Sequence, residues 1–121
     1  MYNSIAKMLR SFRYAARGVA YAMYQENNFR YHMLATLGAL VVGWATKFTV
    51  TEWCLVLMLI GMVYAAEIVN TAIEKLMDKL HPGQDPDVGR VKDLAAGAVL
   101  VASITAAVVG SIIVFGKLFD L

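Results

Sequence analysis

Acidic and amide side chains recur at helical spacing inside an otherwise apolar stretch, AAEIVNTAIEKLMD at residues 65–78. The polar members are Glu67, Asn70, Thr71, Glu74 and Asp78. Offsets of three, four, seven and eleven residues place them on one face of a helix. An ionised carboxylate at membrane depth costs at least about 2.5 kcal/mol on insertion scales, so Glu67 requires a compensating partner or a function. Hydrogen bonding between packed helices would explain Asn70 alone, but not several carboxylates that face one way.

Two carboxylates have the chemistry of magnesium ligands. Mg²⁺ prefers oxygen donors, commonly takes one or two protein carboxylates, and completes its shell with water and substrate phosphate. Glu74 lies on the polar face, and Glu26 lies where the first amphipathic segment meets the first apolar run. The sequence therefore predicts that Glu26 and Glu74 hold Mg²⁺. An ordinary solvated acid is the alternative interpretation of Glu26.

A second group of residues suits an anionic ligand. The segment HPGQDPDVGR at residues 81–90 contains both prolines and two glycines, and it predicts a loop after which helix resumes near Lys92. A cation at a helix amino terminus opposes the helix dipole, whereas Asp93 is favourable there. Lys92, close to free backbone amides and Gly89, would suit a phosphate chain. A lysine that snorkels to the membrane interface is the alternative.

These residues must be positioned by helices in a lipid bilayer. The chain has 121 residues, of which 60% are hydrophobic, and this is too apolar for a water-soluble domain. Residues 2–25 are amphipathic with interleaved basic residues, which is typical of a helix on the membrane surface. Apolar runs at about 31–47, 53–73 and 94–115 predict three transmembrane helices, with an interfacial or re-entrant first run as the alternative. The expected fold is an all-α membrane protein with a single domain over 1–121.

The basic residues indicate the orientation of the chain. Nine lysines and arginines lie before the first apolar run or between the second and third, and only Lys47 and Lys117 lie on the other side. By the positive-inside rule, the amino terminus and the 81–90 loop are therefore cytoplasmic. The net charge of +2 is too small to indicate a nucleic-acid partner.

Three motifs resemble a known family. They are ENNFRYH at residues 26–32, EIVNTAIE at 67–74 and GRVKDLAAGAVL at 89–100, in the order and with the separations of that family. The resemblance is to the small prokaryotic membrane kinases that include diacylglycerol kinase and undecaprenol kinase. It implies a homotrimer in the bacterial cytoplasmic membrane, with three spans and a surface helix in each chain. Such a protein uses Mg-ATP to phosphorylate a membrane lipid alcohol.

The resemblance also implies a role for each matching residue. Glu67 would be the general base on the lipid hydroxyl, with Asn70 beside it to orient the reacting groups. Glu26 and Glu74 would hold Mg²⁺ together with the nucleotide phosphates. The residues implied to contact ATP are Lys7, Tyr14, Glu26, Glu74, Gly83, Gln84, Asp85, Lys92 and Asp93.

Two segments bear on the substrate. His32 stands where the proteobacterial diacylglycerol kinases tend to have an acidic residue, and AAGAV follows Lys92 and Asp93; both features resemble the undecaprenol kinase branch. We therefore expect undecaprenol as the substrate, with diacylglycerol as the alternative, and an interfacial hydrogen-bonding role for His32. Two rivals from other classes are a proton or cation conductor lined by Glu67 and Asn70, and an assembly factor without activity.

Overall fold

The computed structural model describes residues 2–121 as four helices joined by short connections. The helices are α1 (Tyr2–Gln25), α2 (Asn27–Ala45), α3 (Val50–Leu80) and α4 (Pro86–Leu118). No strand occurs in this part of the chain, so the prediction of an all-α protein is confirmed. α3 packs most extensively against α4, while α1 and α2 make smaller contacts with α3.

The junction between α1 and α2 is anchored against α3. Glu26 has an extended backbone conformation, with φ −99° and ψ 121°, and this residue separates the amphipathic α1 from α2. Ala22, before the junction, is buried, and so is Phe29 after it. The ring of Phe29 packs on Tyr64 of α3, with 5.2 Å between ring centroids. Burial of these side chains holds Glu26 close to the polar face of α3.

Two of the described helices, α3 and α4, are long and apolar enough to cross a membrane. α2, with its 19 residues, is not among them. Its first turns carry Asn27, Asn28 and Arg30, so the helix has no apolar stretch of 18 residues without polar side chains. α2 also ends at Ala45, before the predicted end at residue 47, because the chain turns at Lys47, whose φ is 59°. The structure therefore supports a membrane protein with two candidate spans.

The first turn of α3 is capped and is tied to the end of α4. The Thr49 side chain accepts a hydrogen bond from the backbone N–H of Glu52, and the Glu52 carboxylate accepts one from the backbone N–H of Thr49. This capping box satisfies two backbone donors that the helix leaves free. Lys117 Nζ lies 2.9 Å from Glu52 Oε1, which joins the two long helices at this end.

Gly43 allows the turn between α2 and α3 to close. A Cβ atom at this position would lie 2.7 Å from Cη2 of Trp53 and 2.8 Å from Cδ2 of Phe48. The rings of Trp53 and Phe48 themselves pack edge to face, with centroids 5.3 Å apart. Because the two rings occupy the space that a larger residue would need, glycine is required for this close approach.

The start of α4 corrects the predicted loop. The connection after α3 covers only residues 81–85, because Pro86 occupies the first turn of α4 instead of breaking the helix. Asp85 caps the helix: its Oδ1 accepts from the backbone N–H of Asp87 at 2.8 Å and of Val88 at 3.3 Å. Lys92 therefore lies inside the helix, and the prediction that it stands beside free backbone amides at the helix start is wrong.

Candidate active site

Glu67 is the central polar residue of the packed region. It is 2% exposed, although α3 places it within a membrane-spanning candidate. Its Oε2 lies 3.4 Å from Nε2 of His32 on α2. The ring of His32 is partly exposed, whereas the Glu67 carboxylate beside it is buried. The sequence indicated that Glu67 needs a partner, and α2 supplies one.

Asn70, Thr71 and Glu74 continue the same face of α3 by one and two turns. Asn70 donates a hydrogen bond from Nδ2 to Oε1 of Glu74 at 3.4 Å. The Oδ1 atom of Asn70 and the hydroxyl of Thr71 are buried and have no hydrogen-bond partner among residues 2–121. Buried polar atoms are normally paired, so these two are candidates for contacts with a ligand.

Glu26 reaches α3 from the α1–α2 junction. Its Oε1 lies 3.7 Å from Nζ of Lys75, the residue that follows Glu74. Nζ of Lys75 also lies over the ring of Tyr21, 5.8 Å from the centroid. The fold thus brings Glu26, one predicted magnesium ligand, next to the turn of α3 that carries Glu74, the other. Lys75 of the same turn contacts Glu26.

The donor set near Glu74 suits a magnesium ion completed by a nucleotide. Within residues 2–121, no three His, Cys, Asp or Glu side chains are grouped to hold a metal without other ligands. Mg²⁺ does not require such a group, because it commonly binds one or two carboxylates and takes its other oxygens from water and phosphate. Glu74 offers a half-buried carboxylate, and Glu26 can contribute if it exchanges Lys75 for the metal.

Lys92 and Asp93 lie towards the other end of the polar face. The ammonium of Lys92 forms an ion pair with Asp78, which is the last carboxylate of the α3 face. Asp78 is eleven residues beyond Glu67, which is about 16 Å along the helix axis. Asp93 is exposed. Within one chain, the predicted base and the predicted phosphate-binding lysine thus lie far apart along α3.

The remaining predicted nucleotide contacts are exposed. Tyr14 and Lys7 are exposed on α1, and Cζ of Arg17 is 5.9 Å from the centre of the Tyr14 ring. Gly83 and Gln84 are exposed in the 81–85 connection. No contact in the described residues joins these side chains to Glu67. Asp85, predicted with them, is engaged as the cap of α4.

An apolar groove of about 520 Å³ lies between α2, α3 and α4. His32, Thr36 and Tyr64 provide polar groups at one end, and Phe48 and Phe115 lie near the other. The hydroxyls of Thr36 and Tyr64 are 2.9 Å apart and join α2 to α3. Sequence reasoning missed this hydrogen bond. The available signal was the spacing, since Thr36 follows His32 by one turn and Tyr64 precedes Glu67 by nearly one.

These features define a helical membrane protein in which a buried acid contacts a histidine at one end of an apolar groove. Comparison with known proteins identifies the family. Residues 13–114 match the model of the prokaryotic diacylglycerol kinase family, so the chain belongs to that family. It is therefore a lipid kinase, which implies a nucleotide as the phosphoryl donor.

Three relatives show the range within the family. The chain is 33% identical to undecaprenol kinase of Bacillus subtilis (strain 168) over 116 residues, covering 96% of this chain and 94% of that protein. It is 34% identical to a diacylglycerol kinase of Synechocystis, covering 94% of this chain and 66% of that protein. It is 29% identical to diacylglycerol kinase of Escherichia coli (strain K12), covering 93% of both chains. The resemblance found in the motifs is confirmed, while the two kinds of relative leave the substrate open.

Proposed function

We propose that this protein transfers the γ-phosphoryl group of Mg-ATP to the hydroxyl of a membrane lipid alcohol, with Glu67 as the general base. The observation that carries the proposal is the position of Glu67: a buried carboxylate whose partner, His32, lines the end of an apolar groove. A hydrocarbon chain in this groove would bring its terminal hydroxyl to the carboxylate. Glu67 would accept the hydroxyl proton as the oxygen attacks phosphorus and the bond to ADP breaks.

The other polar residues act on the nucleotide. Asn70, with a buried and unpaired Oδ1, would orient the reacting groups next to Glu67. Glu74 and Glu26 would hold Mg²⁺, which neutralises charge on the phosphates when bound. Lys92 and Asp93, on α4, would contact the nucleotide beside the later turns of α3, where Lys92 meets Asp78. ATP can bridge part of the distance from Lys92 to Glu67, because its phosphate chain and ribose are extended.

The peripheral predicted contacts belong to the same nucleotide site. Tyr14 and Lys7 on α1, and Gly83 and Gln84 after α3, are exposed and free to meet a ligand. Asp85 would have to bind through groups that its capping role leaves unused, since Oδ1 already accepts two backbone hydrogen bonds.

We propose undecaprenol as the substrate, ahead of diacylglycerol. His32 and the AAGAV segment after Asp93 support this choice, and the Bacillus subtilis relative, matched over nearly its whole length, carries the name undecaprenol kinase. The relatives named diacylglycerol kinase support diacylglycerol as the alternative substrate. Both lipids present a primary hydroxyl, so the same base can serve either.

The proposed assembly is a homotrimer in the bacterial cytoplasmic membrane, with α2 as a third span and the amino terminus cytoplasmic. Apolar side chains on α4 support further packing, because Leu94, Val101 and Ile112 are each more than 60% exposed in one chain. Tyr31 and Trp44, near the two ends of α2, suit the two membrane interfaces, which would allow this shorter helix to span.

Purified protein supplied with radiolabelled ATP, Mg²⁺ and either undecaprenol or diacylglycerol would test the proposal directly. We expect labelled undecaprenyl phosphate to form faster than labelled phosphatidic acid. Equal rates would overturn the substrate assignment and keep the kinase. Vesicles that conduct cations or protons without ATP consumption would instead favour the conductor.

A further inference from the structure

The side chains of His32 on α2 and Glu67 on α3 are in contact. Among residues 2–121, His32 is the only side chain able to carry positive charge within 4.0 Å of the Glu67 carboxylate. The contact joins Nε2 of the ring to Oε2 of the carboxylate at 3.4 Å. Lys75, the lysine nearest to Glu67 along the sequence, is paired with Glu26, and Lys92 is paired with Asp78.

The fold holds the histidine ring where it is. Thr36, one turn after His32, donates to the carbonyl oxygen of His32 at 2.7 Å and shares a hydrogen bond with Tyr64 at 2.9 Å. The Tyr64 ring meets the His32 ring edge on, with centroids 6.3 Å apart. Tyr64 and Glu67 lie on the same face of α3. The two contacts between α2 and α3 therefore fix the same register, and this register sets His32 opposite Glu67.

A buried carboxylate needs such a partner in order to act as a base. Removing an ion from water is unfavourable unless a charged or hydrogen-bonding group compensates. A carboxylate also has two oxygens, and an unrestrained side chain would present neither of them reproducibly. A ring nitrogen that holds one oxygen leaves the other free for the hydroxyl. The 3.4 Å separation is longer than an ordinary hydrogen bond, and such contacts commonly tighten when substrate binds.

We propose that His32 is a positioning residue for the lipid kinase reaction: its Nε2 holds Oε2 of Glu67 and thereby directs Oε1 towards the lipid hydroxyl. This inference rests on the proposed function of Glu67. It assigns to His32 a task inside the active site, in place of a general interfacial role. The histidine forms no bond with the reacting atoms. Glu67 takes up the hydroxyl proton and releases it to water after the phosphorylated lipid has left.

Glutamine and asparagine at position 32 provide the test. The amide nitrogen of glutamine can reach the place of Nε2, whereas the shorter asparagine amide falls near Nδ1. The full-length protein in detergent would be assayed with undecaprenol and Mg-ATP for wild type, His32→Gln, His32→Asn and His32→Leu. We expect kcat to fall by about 10- to 100-fold in His32→Leu and His32→Asn, with KM for Mg-ATP unchanged, and to recover within a few-fold of wild type in His32→Gln.

His81→Gln is the matched control, because His81 is the other histidine of the chain and is exposed at the end of α3. It should leave kcat unchanged. Equal activity of the glutamine and asparagine variants would overturn the inference, and so would a loss confined to KM for the lipid. If the leucine variant fails to fold, the glutamine and asparagine pair still decides the matter. A wild-type protein that phosphorylates no lipid would remove the proposed function itself, which is a separate result.

Discussion

At the scale of single residues, the chemistry depends on charges that one chain brings together in pairs. Glu67 contacts His32, Glu26 contacts Lys75, and Asp78 contacts Lys92. The first of these pairs is the most buried, and its histidine lines one end of the apolar groove. The residue that can serve as a base is therefore distinguished from the other acids by its surroundings.

Replacing Glu67 with glutamine should abolish lipid phosphorylation. The amide has nearly the same shape but cannot accept the hydroxyl proton, so we expect kcat to fall by about 10²- to 10⁴-fold. The measurement is transfer of labelled phosphate from ATP, with oligomer size checked by gel filtration. Asp120→Asn is the control, since Asp120 is exposed and its φ of 53° is tolerated by asparagine. Full activity of Glu67→Gln would exclude this residue as the base.

Glu74→Gln should weaken the response to magnesium. If Glu74 is a ligand, loss of its charge should raise the Mg²⁺ concentration for half-maximal rate by about 10- to 100-fold, by analogy with outer-shell losses at metal sites. Titration of Mg²⁺ at fixed ATP gives this value. Asp87→Asn, which changes an exposed acid in the first turn of α4, should leave the titration unchanged. A normal magnesium response in Glu74→Gln would contradict the assignment.

At the scale of helices, short polar contacts decide where each element begins and how closely neighbours approach. α3 starts at a capping box, and α4 starts at Pro86 behind a capping aspartate. These local signals place the long helices in register, so that the polar face of α3 meets α2 and the start of α4.

Asp85→Ala should destabilise α4. The substitution removes an acceptor for two backbone amides, and caps of this kind contribute roughly 0.5–2 kcal/mol. Thermal unfolding followed by circular dichroism would measure the loss. Asp85→Asn should keep most of the stability, because asparagine caps helices about as well. If Asp85 also contacts ATP through its charge, the asparagine variant will raise KM for Mg-ATP while remaining stable; an unchanged KM would reject that contact.

Gly43→Ala should also destabilise the fold. The added methyl group would displace the packed rings of Trp53 and Phe48, and overpacking of this kind costs roughly 1–3 kcal/mol. Gly61→Ala is the matched control, because a Cβ there meets nothing within 4 Å and alanine favours helix over glycine. A Gly43→Ala variant as stable as Gly61→Ala would show that the rings move aside freely.

At the scale of the whole molecule, one chain covers little of its own apolar surface. The most apolar 18-residue stretch of α4 has no buried residue, and 28% of the corresponding stretch of α3 is buried. In a bilayer, lipid covers such surfaces at little cost, so exposure alone does not require other chains. If the proposed trimer shares its sites between chains, Glu67 of one chain and Lys92 of another would act on the same nucleotide.

Sedimentation equilibrium in a density-matched detergent would test the assembly. We expect a protein mass three times the 13.3 kDa of one chain. Mixing inactive Glu67→Gln chains with inactive Lys92→Ala chains would then show whether sites are shared: recovered activity requires residues from two chains in one site. A mass of 13.3 kDa with full activity would contradict the trimer.

Several features followed from the amino-acid sequence because they depend on residues close together in the chain. The amphipathic period of residues 2–25 and the lengths of the three apolar runs predicted an all-α protein, and the sequence motifs predicted the kinase family that the comparisons confirmed. The start of α4 is also locally encoded, but the prediction of a loop over residues 81–90 is wrong, because Asp85 before Pro86 is the pattern of a capped helix start.

The tertiary structure alone decided which charges meet. Spacing along the chain does not identify His32 as the partner of Glu67, because the two residues lie on different helices, α2 and α3. The choice follows from the register between α2 and α3, which the Thr36–Tyr64 hydrogen bond and the Phe29–Tyr64 contact fix across 28 and more residues of sequence. The sequence by itself determined that a buried acid must have a partner, because desolvation is costly wherever it occurs; packing between distant segments determined that this partner is His32.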